Sequence, residues 1–175
     1  MRNKRSIEYD IAYMKMADTF AQLSYAKRNK VGCIILTDDG QIISQGFNGT
    51  PKGMDNCCEF EEHIDEYDDI HCCRKDSIIL KTKPEVLHAE SNAIVKCAKS
   101  GYGSTNRCTL YVTLSPCFDC AKLIIQSGIT RVVFKDKYRF TDGIDFLADY
   151  GIKVDQIDIE HKKIIPYKRK WNIKK

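Results

Sequence analysis

Two short motifs combine the residue types that bind zinc and transfer protons. One is a His-Ala-Glu tripeptide that contains His88 and Glu90, and the other is a Pro-Cys-Phe-Asp-Cys segment that contains Cys117 and Cys120. Zinc prefers imidazole nitrogen and thiolate sulfur, and a catalytic zinc site keeps a fourth position open for water. We therefore predict that His88, Cys117 and Cys120 bind a catalytic Zn2+, and that Glu90 acts beside it as general acid and base.

Less specific interpretations of the same residues stay open. The two cysteines could be buried thiols, or the cluster could be a closed structural zinc site in a non-enzymatic, zinc-stabilised binding module. A closed site needs a fourth protein ligand, and neither motif contains an obvious one. Two thiolates spaced three apart at a helix start can also point at one ion, with the helix dipole favouring their charge. The pattern therefore favours catalysis.

The hydrophobic pattern predicts the elements that must position these motifs. Periodic apolar residues predict four helices, at about residues 8–25, 88–99, 117–126 and 142–150. Shorter apolar runs predict five strands, at about residues 31–36, 41–47, 109–114, 131–134 and 152–154. Asp38-Asp39-Gly40 indicates a hairpin between the first two strands. This order predicts an α/β fold, a three-layer α/β/α sandwich with a mostly parallel five-stranded sheet.

We expect a single domain over residues 1–175, with a long insertion at residues 48–87 and a basic C-terminal extension at residues 157–175. The insertion lacks clear periodicity and has eight acidic residues and no Lys or Arg between positions 55 and 69. Its metal-binding residue types could hold a second zinc ion: Cys57, Cys58, His71, Cys72 and Cys73, with His63 nearby. Alternatively, these cysteines are reduced thiols. Because the N-terminus lacks the continuous apolar stretch of a signal peptide or membrane span, we expect a cytoplasmic protein without membrane contact.

Three segments resemble the cytidine deaminase-like superfamily of zinc-dependent enzymes, and within it the deaminases that act on dCMP. They are Gly-Phe-Asn-Gly-Thr-Pro at residues 46–51, His-Ala-Glu-Ser-Asn-Ala-Ile at residues 88–94 and Tyr-Val-Thr-Leu-Ser-Pro-Cys at residues 111–117. A His-x-Glu tripeptide followed by Pro-Cys-x-x-Cys is the general signature of zinc deaminases of nucleobases. The resemblance implies hydrolytic deamination of a cytosine deoxynucleotide, dCMP to dUMP and ammonia, which supplies dUMP for thymidylate synthesis.

The resemblance also implies roles for residues around the zinc site. Asn48 would bind the substrate sugar, Ser115 would meet the cytosine ring, and Tyr138 would close over the bound nucleotide. The candidates for the phosphate are basic residues: Arg28, Lys30 and, less directly, Arg139. Each cation could instead be solvated surface, and Asn48 could be a turn residue, because Asn-Gly favours turns in any protein.

By the same resemblance, the chain would form a homohexamer that is activated by dCTP and inhibited by dTTP, with Mg2+ bound beside the regulatory nucleotide. The loop residues Phe47, Gly49, Thr50 and Lys52 would form part of that regulatory site. One departure weakens this expectation: Lys96 and Lys99 stand where some relatives have an aromatic residue and an arginine linked to regulation.

A rival within enzymes is a polynucleotide deaminase that edits tRNA or single-stranded DNA, because it would have the same zinc motifs. Such enzymes need a positively charged channel with aromatic residues on which bases stack. The acidic insertion beside the active-site loop should repel a polyanion, so nucleic acid is not the expected partner. Free cytidine deaminases are a further rival, but they usually have Cys where this chain has His88.

Overall fold

The computed structural model describes residues 4–67, 74–101 and 103–168 of the 175-residue chain. Four helices lie close to their predicted positions: α1 Lys4–Ala21, α2 Ala89–Ser100, α3 Phe118–Gln126 and α4 Asp142–Asp149. Helix α1 ends before its predicted limit because the following chain turns inward, where buried Ser24 donates its hydroxyl to the Asn48 carbonyl at 2.7 Å. Within the described residues, no helix has both the length and the apolar character that crossing a bilayer requires.

Eight strands occur in the described residues: β1 Gly32–Leu36, β2 Ile42–Phe47, β3 Glu59–Tyr67, β4 Arg74–Thr82, β5 Thr109–Leu114, β6 Arg131–Asp136, β7 Lys153–Asp158 and β8 Lys163–Pro166. Six of them form the central sheet in the order β2-β1-β5-β6-β7-β8. The β5–β6 and β6–β7 pairs are parallel, and the other neighbouring pairs are antiparallel. The α/β class is confirmed, but the sheet is mixed and has six strands instead of five mostly parallel ones.

Both differences have a physical reason. Strand β8 has four residues with largely exposed side chains, so it lacks the apolar run that marks a buried strand. Strand β1 is buried at all five positions, and its composition does not encode the direction of its neighbour. It pairs antiparallel with β2 through the predicted hairpin and antiparallel with β5 on its other side.

Alternating side chains of the central strands fill two hydrophobic layers. In β1, Cys33 and Ile35 face the layer formed with α2, α3 and α4, and Ile34 and Leu36 face the layer formed with α1. Strands β5 and β6 repeat this alternation. Helices therefore cover both faces of the sheet, and the α2 and α3 side carries the predicted zinc motifs.

The insertion is more regular than the sequence suggests. Strands β3 and β4 form a separate antiparallel two-stranded sheet, in register from the Glu59–Thr82 pair to the Tyr67–Arg74 pair. Its charged residues obscure the period-2 pattern that would have predicted strands. This hairpin begins and ends beside the zinc motifs, so its base can contribute to the site.

The described residues show only part of the predicted second zinc site. Cys57 is exposed, whereas Cys58 is buried against Ala26 and Val86. His71, Cys72 and Cys73 lie outside the described residues, as do residues 169–175 of the basic extension. The second zinc site therefore stays a prediction.

Candidate active site

The first motif lies where the chain enters helix α2. His88 is the N-cap residue with an extended backbone (φ −72°, ψ 158°), and Glu90 lies in the first helical turn. The preceding residue, Leu87, exchanges two backbone hydrogen bonds with Gly49, at 2.9 and 3.1 Å. The loop after β2 therefore fixes the backbone from which His88 projects.

Helix α2 packs unusually closely on β2. A Cβ atom on Gly46 would lie 2.2 Å from the Ala89 carbonyl oxygen and 2.7 Å from the Ala93 nitrogen. The Ser44 hydroxyl, from the same strand, donates to the Ala93 carbonyl at 2.7 Å. Only glycine permits this approach, which holds the start of α2 against the sheet.

The second motif begins helix α3, directly after the carboxyl end of β5. Cys117 is the N-cap residue with an extended backbone, and Cys120 is buried one turn later. Gly143 of α4 packs on this start, because a Cβ atom there would lie 2.2 Å from the Pro116 carbonyl oxygen and 2.6 Å from the Cys117 carbonyl carbon. The contact sets the position of the Cys117 backbone.

We expect Gly143→Ala to displace Cys117 and weaken metal binding. The added methyl group meets rigid backbone, so overpacking should cost about 1–3 kcal/mol of folding stability. Zinc content per chain, measured by atomic absorption after dialysis against a weak chelator, should fall together with the melting temperature. Gly103→Ala is the matched control, since its Cβ would make ordinary contacts with Ile43 at 3.7 Å. Equal zinc content in the two variants would contradict the expectation.

The two motifs meet in one cluster. His88 Nδ1 lies 3.4 Å from Cys117 Sγ and 3.3 Å from Cys120 Sγ, and the three potential ligand atoms all lie within 4.8 Å of one another. Ordinary zinc bond lengths in a tetrahedral site place nitrogen and sulfur roughly 3.5 Å apart. The three donor atoms and their spacing therefore fit a zinc ion with one coordination position left open. Among the described residues, His88, Cys117 and Cys120 are the cluster that could hold a metal ion.

Burial and hydrogen bonding shift the acidity of this cluster. Glu90 is only 4% exposed, and burial raises the pKa of its carboxyl group to about 7, against the opposing effect of His88. A hydrogen bond from Cys120 lowers the pKa of the Cys117 thiol to about 4, and His88 acts in the same direction. The surroundings thus favour a thiolate at Cys117, which is the form that binds metal.

A pocket opens beside the cluster, and four of the predicted substrate residues line it: Arg28, Asn48, Ser115 and Tyr138. Its walls come from the loop after α1, the base of the β3–β4 hairpin and the starts of α2 and α3: Arg28, Asn29, Val31, Asn48, Glu59, Thr82, Val86, His88, Ala89, Glu90, Leu114, Ser115, Cys117 and Tyr138. Two of the three zinc-ligand candidates, the buried carboxyl group and a guanidinium thus line one pocket, as in small-molecule sites.

Asn48 has structural partners as well as its place in the pocket. Its Oδ1 accepts a hydrogen bond from the Val31 N–H at 2.8 Å, and its Nδ2 donates to the Asn29 carbonyl at 2.9 Å. These bonds tie the loop after β2 to the loop before β1. One amide hydrogen of Asn48 remains for a ligand, so the predicted sugar contact is compatible with this geometry.

Ser115 and Tyr138 form a connected wall of the pocket. The Ser115 hydroxyl oxygen accepts a hydrogen bond from the Tyr138 backbone N–H at 2.8 Å. The Tyr138 ring meets Phe140 edge to face, and the Arg139 guanidinium lies over both rings. Tyr138 is therefore held at the rim through its backbone and its ring.

Basic residues gather around the mouth of the pocket. Arg28, Lys137 and Arg139 line a shallow depression next to Tyr138, and Arg28 also lines the main pocket. Lys30 is exposed and is not among the residues that line the main pocket or the shallow depression. Sequence reasoning missed Lys137, although its place beside Tyr138 in the sequence was a usable signal.

The four predicted regulatory residues lie around the loop after β2 and not in the pocket wall. The Phe47 carbonyl accepts a hydrogen bond from Asn92 Nδ2 at 2.9 Å, and Lys96 Nζ lies 5.2 Å from the Phe47 ring centre. Thr50 donates its hydroxyl to the Asp55 carbonyl at 2.8 Å, Gly49 pairs with Leu87, and Lys52 is exposed. This surface adjoins the start of α2 and hence the metal cluster.

Sequence reasoning also missed Glu59 and Thr82, which line the pocket from the base of the hairpin. Glu59 lies within the acidic run, and nothing in its spacing distinguishes it from the other acidic residues there. Its burial depends on long-range packing between the hairpin and the loop after α1, which a local pattern does not encode.

The chain is similar in sequence to known zinc-dependent deaminases. Residues 7–136 match the sequence profile of the cytidine and deoxycytidylate deaminase zinc-binding region. The deoxycytidylate deaminase of Enterobacteria phage T4 is 36% identical over 180 residues, covering 86% of this chain and 88% of that protein. The human deoxycytidylate deaminase is also 36% identical, with coverages of 78% and 70%. The Saccharomyces cerevisiae enzyme is 30% identical, and the chain spans only 47% of its length.

A solved structure extends the similarity to the fold. The dCMP deaminase from cyanophage S-TIM5, crystallised in complex with dCMP and dUMP, is 44% identical, with a TM-score of 0.68. The match covers 83% of this chain and 94% of that protein. The likeness therefore extends over nearly the whole length of the neighbour.

Proposed function

The chain belongs to the family of cytidine and deoxycytidylate deaminases, and from this premise we propose that it hydrolyses the 4-amino group of dCMP to give dUMP and ammonia. The observation that carries the proposal is the pocket that His88, Cys117, buried Glu90 and Arg28 line together, with Cys120 clustered beside His88 and Cys117. The product dUMP would supply thymidylate synthesis. The phage neighbour, whose complex contains both dCMP and dUMP, supports the substrate assignment.

His88, Cys117 and Cys120 would hold the zinc ion. When bound, zinc supplies Lewis acidity, which lowers the pKa of a water molecule. The chain's own contribution is to present one imidazole nitrogen and two cysteine sulfurs from two helix starts, whose positions the Gly46 and Gly143 contacts fix. This arrangement leaves the pocket side of the cluster open.

Glu90 would move the protons of the reaction. Its carboxylate accepts a proton from the attacking water, whose oxygen bonds to C4 of the cytosine ring. Glu90 would then pass that proton to N3, take the remaining proton from the new C4 hydroxyl and deliver it to the 4-amino group. The C4–N bond would break as the C4=O bond forms, and ammonia would leave. Burial at 4% exposure keeps bulk water away from this transfer.

The remaining pocket residues would recognise the nucleotide. Ser115 and Tyr138 would enclose the cytosine ring, Asn48 would bind the sugar through its remaining amide hydrogen, and Arg28 would bind the 5′-phosphate. Support comes from their shared pocket and from the additional cations at its mouth. Guanidinium groups are suited to phosphate because they donate two parallel hydrogen bonds.

Regulation and assembly form the finer part of the proposal. We expect dCTP to activate and dTTP, with Mg2+, to inhibit, through a site that includes Phe47, Gly49, Thr50 and Lys52, in a homohexamer. Support comes from the hydrogen bonds that join this loop to α2 and to Leu87, the residue before His88. Through them, a nucleotide bound at the loop could shift the backbone of His88. We place the reaction in the cytoplasm, where the cysteines of such a site stay reduced.

The test is a substrate panel of dCMP, dCTP, deoxycytidine and a short single-stranded oligonucleotide, assayed by ammonia release with and without dTTP. We expect turnover of dCMP above all, and suppression by dTTP that dCTP relieves. Activity confined to the oligonucleotide would instead indicate a polynucleotide deaminase. A zinc-loaded protein with no activity on any substrate would indicate a binding module.

A further inference from the structure

Glu59 is a buried residue of the acidic β3–β4 hairpin. It is the first residue of β3 and only 6% exposed, whereas Glu61 two residues later is exposed. One carboxylate oxygen, Oε1, accepts hydrogen bonds from the backbone N–H groups of Lys27 at 3.0 Å and Arg28 at 3.2 Å. Glu59 therefore fixes the backbone that carries Arg28 at the pocket mouth.

Thr82 holds the other end of the same arginine. It is the cross-strand partner of Glu59 at the base of the hairpin. Its hydroxyl oxygen accepts a hydrogen bond from Arg28 Nη1 at 3.3 Å, and both hairpin residues line the pocket. One pair of residues thus anchors Arg28 at its main chain and at its guanidinium.

The contacts of Glu59 and Thr82 leave Arg28 able to bind a phosphate group. The carboxylate is used on backbone N–H groups, and the contact with the guanidinium comes from a neutral hydroxyl. Arg28 therefore keeps its full charge and further N–H donors for a ligand. A side chain held in its binding conformation also loses less entropy when the ligand binds.

We propose that Glu59 and Thr82 are positioning residues that orient Arg28 toward the 5′-phosphate, so that the base of the β3–β4 hairpin makes the enzyme selective for a nucleotide over a nucleoside. The inference rests on the proposed function, because it assumes deamination of dCMP. It assigns to the insertion a specific task at the catalytic pocket.

The test compares kcat and KM for dCMP and for deoxycytidine, which lacks the phosphate. Glu59→Gln and Thr82→Val should each lower kcat/KM for dCMP by about tenfold, mainly through KM, since a hydrogen bond to a charged group is at stake. Their kcat/KM for deoxycytidine should stay within about twofold of the starting protein. Thr82→Ser should restore the preference for dCMP because it restores the hydroxyl.

A surface control variant and double variants with Arg28→Ala test whether the two residues act through Arg28. Glu61→Gln removes the same charge from an exposed position of β3 and should leave the preference for dCMP unchanged. Combined with Arg28→Ala, neither Glu59→Gln nor Thr82→Val should cause additional loss, because each acts through Arg28. Thr82→Val keeps the test sound if Glu59→Gln fails to fold, since Thr82 is exposed.

Equal losses on dCMP and deoxycytidine, or losses that multiply with that of Arg28→Ala, would overturn the positioning role. A starting protein that deaminates deoxycytidine as well as dCMP would also overturn it, because nothing would then read the phosphate. A starting protein inactive on both substrates would instead refute the proposed function itself.

Discussion

A Glu90→Gln variant is expected to lose turnover of dCMP by about 10²–10⁴-fold or more while it keeps its zinc and its fold. Glutamine preserves the shape of the side chain but cannot accept or deliver a proton, and this range is what a general acid and base typically contributes. Because Glu90 is 4% exposed, bulk water cannot readily replace it as proton carrier. Ammonia release measures the loss, and atomic absorption and circular dichroism check zinc and fold.

Glu85→Gln is the matched control for this variant. Glu85 lies three residues before His88 in the same approach to α2, but its side chain is exposed. The control should keep the turnover of the starting protein. Near-normal activity of Glu90→Gln would show that the assigned proton transfer is wrong, and it would favour the zinc-stabilised binding module.

The metal cluster is the part of the molecule that the sequence predicts best. His88 and Glu90 lie in one turn of α2, and Cys117 and Cys120 lie in one turn of α3, so helical geometry fixes each half locally. The resemblance then joined the two halves, and the distances around His88 Nδ1 agree with it.

The wall of the pocket is harder to predict because it is assembled from distant segments. Arg28 follows α1, and Glu59 and Thr82 belong to a hairpin that pairs residues 23 positions apart. No local period marks a buried glutamate inside an acidic run. The four-residue strand β8 was missed for a related reason, since its pairing with β7 and not its own composition defines it.

A buried charge network lies on the opposite face of the sheet, beneath α1. The Arg131 guanidinium contacts Asp10 with two hydrogen bonds of 2.9 and 3.1 Å, and its Nε donates to Asp155 at 2.9 Å. The Tyr111 hydroxyl also donates to Asp10. Asp10 and Asp155 are 3% and 0% exposed, and Arg131 is a cation that contacts both of them, while Lys153 Nζ lies 3.9 Å from Asp155.

Replacing the cation of this network should therefore be costly. Arg131→Met is expected to lower the free energy of unfolding by about 3–5 kcal/mol, because it removes the cation that contacts both buried carboxylates. Urea unfolding at one fixed protein concentration measures the change.

Arg107→Met is the control, because Arg107 is 77% exposed and lies 3.7 Å from Asp38, a surface pair expected to contribute less than about 1 kcal/mol. Since the network faces away from the pocket, kcat for dCMP should stay unchanged at temperatures where Arg131→Met remains folded. A loss no larger than that of the control would mean that desolvation of these charges offsets their attraction, so that the network contributes little to stability.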